Sequence, residues 1–322
     1  MKTITGAKKI TSIILTVVSM LCMIAAMPPS THADTANALV TLIESFGHGG
    51  EGSLFASCSN ANLLTVTGTV TGASGTLSLN INAKITVIWA ADYTGTDGPL
   101  IELSGSGTFE IQWNGTIRQT GNVPAPAIQC NGTNTVNVHG TVSSESCAAI
   151  LVSGAKTVVN VYSGTVMCKR GSAIVLDGAG ARLNVSGGDV ACLSPKSFST
   201  AVNVGSTTCK VTISGGFVFS MCKTQIYGTG DGTVIKLAAA SQLMINGTGV
   251  LCAWNTPIKP PTYTAGSSTD LVVNEGVNVF WANHPTYGYT CIAYKCDNSD
   301  TGSVYEIAGV TVKENKTRPY TA

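Results

Sequence analysis

The residues with which this chain could do chemistry are sparse and stand apart. Its 322 residues include 17 acidic side chains, four histidines and 11 cysteines. A glycosidase needs two carboxylates across one bond; a lyase needs carboxylates clustered on calcium beside a base. Glu102, Asp177, Asp189 and Asp231 are each isolated in the sequence, and so are His48, His139 and His284. No CxxC or histidine-paired spacing offers a metal site. The closest cysteine pair, Cys291 and Cys296 in TCIAYKCDNSD, suits a local disulfide on a hairpin. The reading is therefore no catalytic set, no metal and no cofactor.

The elements that must position these residues begin after a leader. Residues 1–33 read as a secretory signal peptide, with basic MKTITGAKK, an apolar stretch from Ile10 to Met27, and Thr31-His32-Ala33 for cleavage. The competing reading is a retained membrane anchor. Without Lys2, Lys8 and Lys9 the chain carries 15 basic against 17 acidic side chains and no block of like charge, which argues against nucleic acid as a partner. Only 11% of residues are charged and 36 are glycine, so Ser, Thr, Asn and Gly must make the surface. That composition fits a secreted or cell-surface β-protein, with no membrane span after the leader and an oligomeric state the sequence leaves open.

VNVHGTV at 136–142, VNVYSGTV at 159–166 and LNVSGGDV at 183–190 are one pattern written three times. Aligning the second apolar residue of each pair gives Val66, Val87, Ile111, Val138, Val161, Val185, Ile213, Ile245 and Val273, at intervals of 21 to 32 residues. A second column (Ile101, Ile128, Ile150, Ile174, Val202, Ile235) precedes the first by ten or eleven residues. A third (Val142, Val166, Val190, Val218, Val250) follows it after a glycine corner. Three short strands per period, each with period-two alternation, predict an all-β, single-stranded right-handed parallel β-helix. About nine rungs would span roughly 40 Å.

Domain boundaries follow: signal peptide 1–33, N-terminal cap 34–60, β-helix 61–280, and an irregular C-terminal cap or tail 281–322. The cap should contain a helix over 36–46 with Leu39, Leu42, Ile43 and Phe46 on one face. Cys168, Cys192 and Cys252 fall two residues after third-column valines, and Cys130 falls among Val152, Leu176, Val204 and Leu237. They read as small stacked core residues, either free thiols or bridges between adjacent rungs.

Two surface features stand out. Leu151 and Val175 occupy successive outward positions of the second column, which suits either a partner or a covering loop. Nine aromatics fall after residue 250, including Trp254, Trp281, Tyr287 and Tyr289, either stacking on sugar or plugging the end of the helix. Gly47-His48-Gly49 matches the Gly-His-Gly of β-helical pectin hydrolases, but it precedes the first rung and lacks their paired aspartates. It reads as a loop.

AIVLDGAGARLNVSGGDV, looser in its neighbours, resembles the repeats of secreted right-handed β-helix surface proteins of Gram-positive bacteria, over roughly residues 60–280. The resemblance implies adhesion, or contact with polysaccharide or a host or cell-surface protein. The expectation is a non-enzymatic, adhesin-like glycan or surface binder, acting through Trp254, Trp281, Tyr287, Tyr289, Leu151 and Val175. The alternatives are a polysaccharide lyase or glycoside hydrolase, and a purely structural rod.

Overall fold

The computed structural model describes residues 35–194, 199–221, 225–228, 233–238, 242–245, 249–254, 271–273, 277–284, 288–295, 304–307 and 310–313. The signal-peptide reading of 1–33 lies outside them, as do Asp231, Tyr287 and Cys296.

The repeated V-x-V pairs stack as predicted, in a right-handed parallel β-helix with three faces. Face A is an eight-stranded parallel sheet that includes Leu77–Ile81, Ile101–Gly105, Ile128–Cys130, Ile150–Val152, Ile174–Leu176 and Val202–Val204. Face B includes Thr86–Trp89, Thr108–Ile111, Thr135–Val138 and Val158–Val161. Face C includes Asp92–Gly95, Thr116–Gln119, Thr141–Ser144 and Thr165–Cys168. In the later turns faces B and C merge into single bent strands, Arg182–Cys192 and Lys210–Met221.

All six members of the second column stack in register on face A, and Leu77 extends the column downward. Ile111, Val138, Val161, Val185, Ile213, Ile245 and Val273 align on face B as expected. Two assignments are corrected. Trp89, not Val87, stands between Val66 and Ile111. Leu251, not Val250, caps the face C column above Val218. The solenoid makes about six turns, fewer than the nine rungs expected. The first strand of the stack, Leu63–Ala73, pairs on both face B and face C, and 271–273 adds a strand to face B at the other end.

Inward side chains of all three faces form one continuous core, in which Val136, Val138, Val159, Val161, Leu183 and Val185 are fully buried. Trp89, Tyr93 and Phe109 fill the interior of the early turns, the first two edge-to-face with ring centroids 5.8 Å apart. Each such ring buries far more area than the valine that replaces it higher up.

Between faces B and C, Gly188 and Gly216 take left-handed φ values of 68° and 72°, whereas Gly164 serves contact. A Cβ on Gly164 would lie 2.0 Å from the Gly140 carbonyl oxygen, although the Gly164 φ is ordinary. Rungs can close to sheet spacing at this corner only if the side chain is absent.

Helix α1, Ala36–Ser45, covers the first turn and buries Ala36, Leu39 and Ile43, with Leu42 and Phe46 partly packed against the core. Thr35 caps it, its Oγ1 accepting from the Ala38 amide. The sequence did not announce the strand Glu51–Asn60, which pairs antiparallel with Leu63–Ala73 and covers the lowest edge. At the far end, Val277–His284 and Gly288–Lys295 form an antiparallel hairpin laid on Val250–Trp254.

Candidate functional site

Among the described residues three rings stand exposed: Phe55 on the N-terminal strand Glu51–Asn60, and Trp113 and Tyr162 at the corner where face B turns into face C. Gln112, His139 and Tyr162 stack there on successive rungs: the His139 amide donates to the Ile111 carbonyl, and the Tyr162 amide to the Val138 carbonyl. The His139 and Tyr162 rings lie face to face, 4.9 Å between centroids and 15° between planes. One rung lower the corner is longer, with residues 112–115 connecting the strands where 139–140 suffice above. That insertion holds Trp113, which is 80% exposed, while Tyr162 is 44% exposed. Inserted residues in a solenoid repeat protrude on one face, often the face that binds.

Beside this corner, the outward residues of face B form an amide ladder. Asn160 Nδ2 donates to Asn137 Oδ1, and Asn184 Nδ2 to Asn160 Oδ1, each at 2.9 Å. The ladder is half-buried and fixed by strand register, so its amides are oriented before any ligand arrives. Glu110 lies below Asn137 and accepts from Gln112 Nε2 at 2.6 Å. The neighbouring outward column runs Thr108, Thr135, Val158, Arg182 and Lys210.

The other chemical residues are dispersed. Glu102 sits on face A, accepting from Ser78 Oγ and Asn131 Nδ2, while Asp189 is exposed on face C between Thr165 and Phe217. Asp177 lies in a corner, its carboxyl raised by burial. His48 sits in the loop after α1, where its Nδ1 accepts from the Gly50 amide and its carbonyl from Ser74 and Gly75. Among the described residues no group of three or more His, Cys, Asp or Glu is arranged around a common point.

The inward cysteines carry a role that the sequence reading lacked. On face C the column Gln119, Ser144, Cys168, Cys192, Ser220 is in register and buried. Four members bond corner backbone: Gln119 Nε2 donates to Thr96 O, Ser144 Oγ to Ala125 O, Cys168 Sγ to Cys147 O and Cys192 Sγ to Gly171 O. Burial pushes the Cys130 thiol up to about 12, that of Cys168 well up and that of Cys209 up, so they are protonated donors or inert packing groups. Cys58, Cys130, Cys147, Cys168 and Cys209 are free thiols. Cys252 does not belong to this column: it pairs with Phe219, and Ala253 takes the place opposite Ser220.

Leu151 and Val175 are neighbours in register on face A, but each is half-buried and offers no open apolar patch. Strand pairing brings the backbone of Trp254 opposite Thr290, that of Trp281 opposite Cys291, and that of Tyr289 opposite Asn283. The sequence reading placed its candidate binding rings there and did not single out Trp113 or Tyr162. The available signal was the lengthened corner QWNG opposite HG. No family model, curated protein or solved structure matches the chain.

Proposed function

We propose that this chain is a non-enzymatic extracellular β-helix protein, secreted or held at a cell surface, that binds glycan through the corner bearing Trp113, His139 and Tyr162. The observation that carries the reading is the pairing of solvent-facing rings with an oriented amide ladder on one rigid side of the solenoid. Ring faces supply contact area against the apolar faces of sugars, and covering an exposed tryptophan is worth about 2 kcal/mol. Amides held in register add direction, and because backbone pairing positions them, little ordering cost falls on binding. A glycan array screened with the purified chain, alongside Trp113→Ala and Tyr162→Ala, tests it. Binding lost in both variants without a fall in melting temperature supports the reading. No glycan bound would favour a structural rod. Unsaturated products or new reducing ends from pectate, alginate or xylan, with or without calcium, would establish an enzyme instead.

A further inference from the structure

Three cations stand on successive rungs at the edge of face B opposite the aromatic corner, Arg182 and Lys210 at the start of its strands and Lys156 in the corner just before them. Lys156, Arg182 and Lys210 are all exposed, and Arg182 is the register partner of Lys210. Like charges directly opposite each other in a sheet are destabilising, and among the described residues none of the three has an ion-pair partner. Asp177, which shares their corner, instead packs its Oδ1 against Gly205.

A second cost is retained at the same place. Lys156 has φ +59, which makes it the only non-glycine with positive φ among the described residues. The position stacked on it, one rung higher, is Gly180 at φ +70. The solenoid thus uses glycine for this left-handed position on one rung and a lysine on the next. Strained residues and uncompensated charges persist where a ligand makes use of them.

Resting on the glycan-binding reading above, we infer that the ligand is an acidic glycan of the polyuronate class, laid diagonally across face B from the Trp113 corner, over Asn160 and Asn184, to Arg182, Lys210 and Lys156. Val158 is the register partner of Arg182 and Tyr162 follows four residues later, so the strip is roughly 13 Å wide at strand rise. A polyuronate carries one carboxylate per sugar, so the end of the chain that reaches this edge meets Arg182 and Lys210 on adjacent rungs about 4.8 Å apart. Arginine receives a carboxylate through two parallel N–H···O bonds, and lysine contributes a point charge. The rings hold the uncharged faces of the same chain.

The test titrates the full chain with hexagalacturonate and with neutral xylohexaose, at low and at high salt. The expected results are tighter binding of the acidic oligomer, an affinity that falls with salt, and about tenfold loss for Arg182→Gln/Lys210→Gln, equal to about 1.4 kcal/mol. Xylohexaose affinity should be unchanged by that pair. Lys156→Gly should weaken the acidic ligand while the melting temperature holds or rises. Equal binding of both oligomers, or no response to the paired variant, overturns the inference and leaves glycan binding standing. Binding of neither overturns both. A lowered melting temperature in Lys156→Gly removes the strain argument and counts against the assignment.

Discussion

Val161→Asp set against Asn160→Asp tests the register through neighbouring residues of one strand. Val161 is fully buried between Val138 and Val185 on the adjacent rungs. Truncation alone at such a site removes two methyl groups, about 1.6 kcal/mol of transfer free energy, to which the cavity adds about 1 kcal/mol. A carboxylate there has no partner on either rung and adds several kcal/mol more. Against a typical folding stability of about 5–15 kcal/mol, the variant should be largely unfolded or melt far below the parent. Asn160 faces outward, and an aspartate there can still accept from Asn184 but cannot donate to Asn137. One lost hydrogen bond costs about 1 kcal/mol. Guanidinium unfolding followed by circular dichroism separates the two. Similar midpoints for both variants would refute the assigned inward and outward faces.

Two further perturbations probe the packing. Gly164→Ala should destabilise the chain by about 1–3 kcal/mol, read from the same unfolding curves, because its Cβ would sit 2.0 Å from the Gly140 oxygen and rungs must part to admit it. Cys130 provides an alkaline signature. Its folded thiol keeps its proton up to about 12, whereas the ordinary value is 9.0, so between those pH values the unfolded state binds fewer protons and stability falls as pH rises. The slope is about 1.4 kcal/mol per pH unit for this one group. Cys130→Val, whose neighbour Val152 occupies the same column, should flatten that decline in unfolding measured at pH 8, 9.5 and 11.

Much of the fold is legible because a solenoid stacks equivalent residues on one another, so a core column appears in the sequence as a period. The columns through Ile128, Ile150 and Ile174, and through Val138, Val161 and Val185, could be read for that reason. Trp89 was missed because a search for V-x-V ends at Val87, while a wide first turn fills its centre with a ring. Leu251 was missed by one residue because the corner before it is longer. The strand Glu51–Asn60, EGSLFASCSN, has no β-branched residue, and its pairing depends on the hairpin.

The site was less legible for the same physical reason. Lys156, Arg182 and Lys210 lie 26 and 28 residues apart, and only stacking makes them neighbours. Trp113, His139 and Tyr162 are ordinary turn residues when taken singly. What separates them from a solvated corner is the exposure of Trp113 and the ring stack between the other two.

The measurement that bears most directly on the central claim compares two sets of aromatics for one ligand. Hexagalacturonate affinity, measured calorimetrically, should fall at least tenfold in Trp113→Ala/Tyr162→Ala, with melting unchanged, because these rings are exposed and contribute little to the core. Trp254→Ala/Trp281→Ala should keep the parent affinity wherever it remains folded. Unchanged affinity in the corner variant, with binding lost in the folded C-terminal variant, would contradict the account and move the site to the far end of the helix.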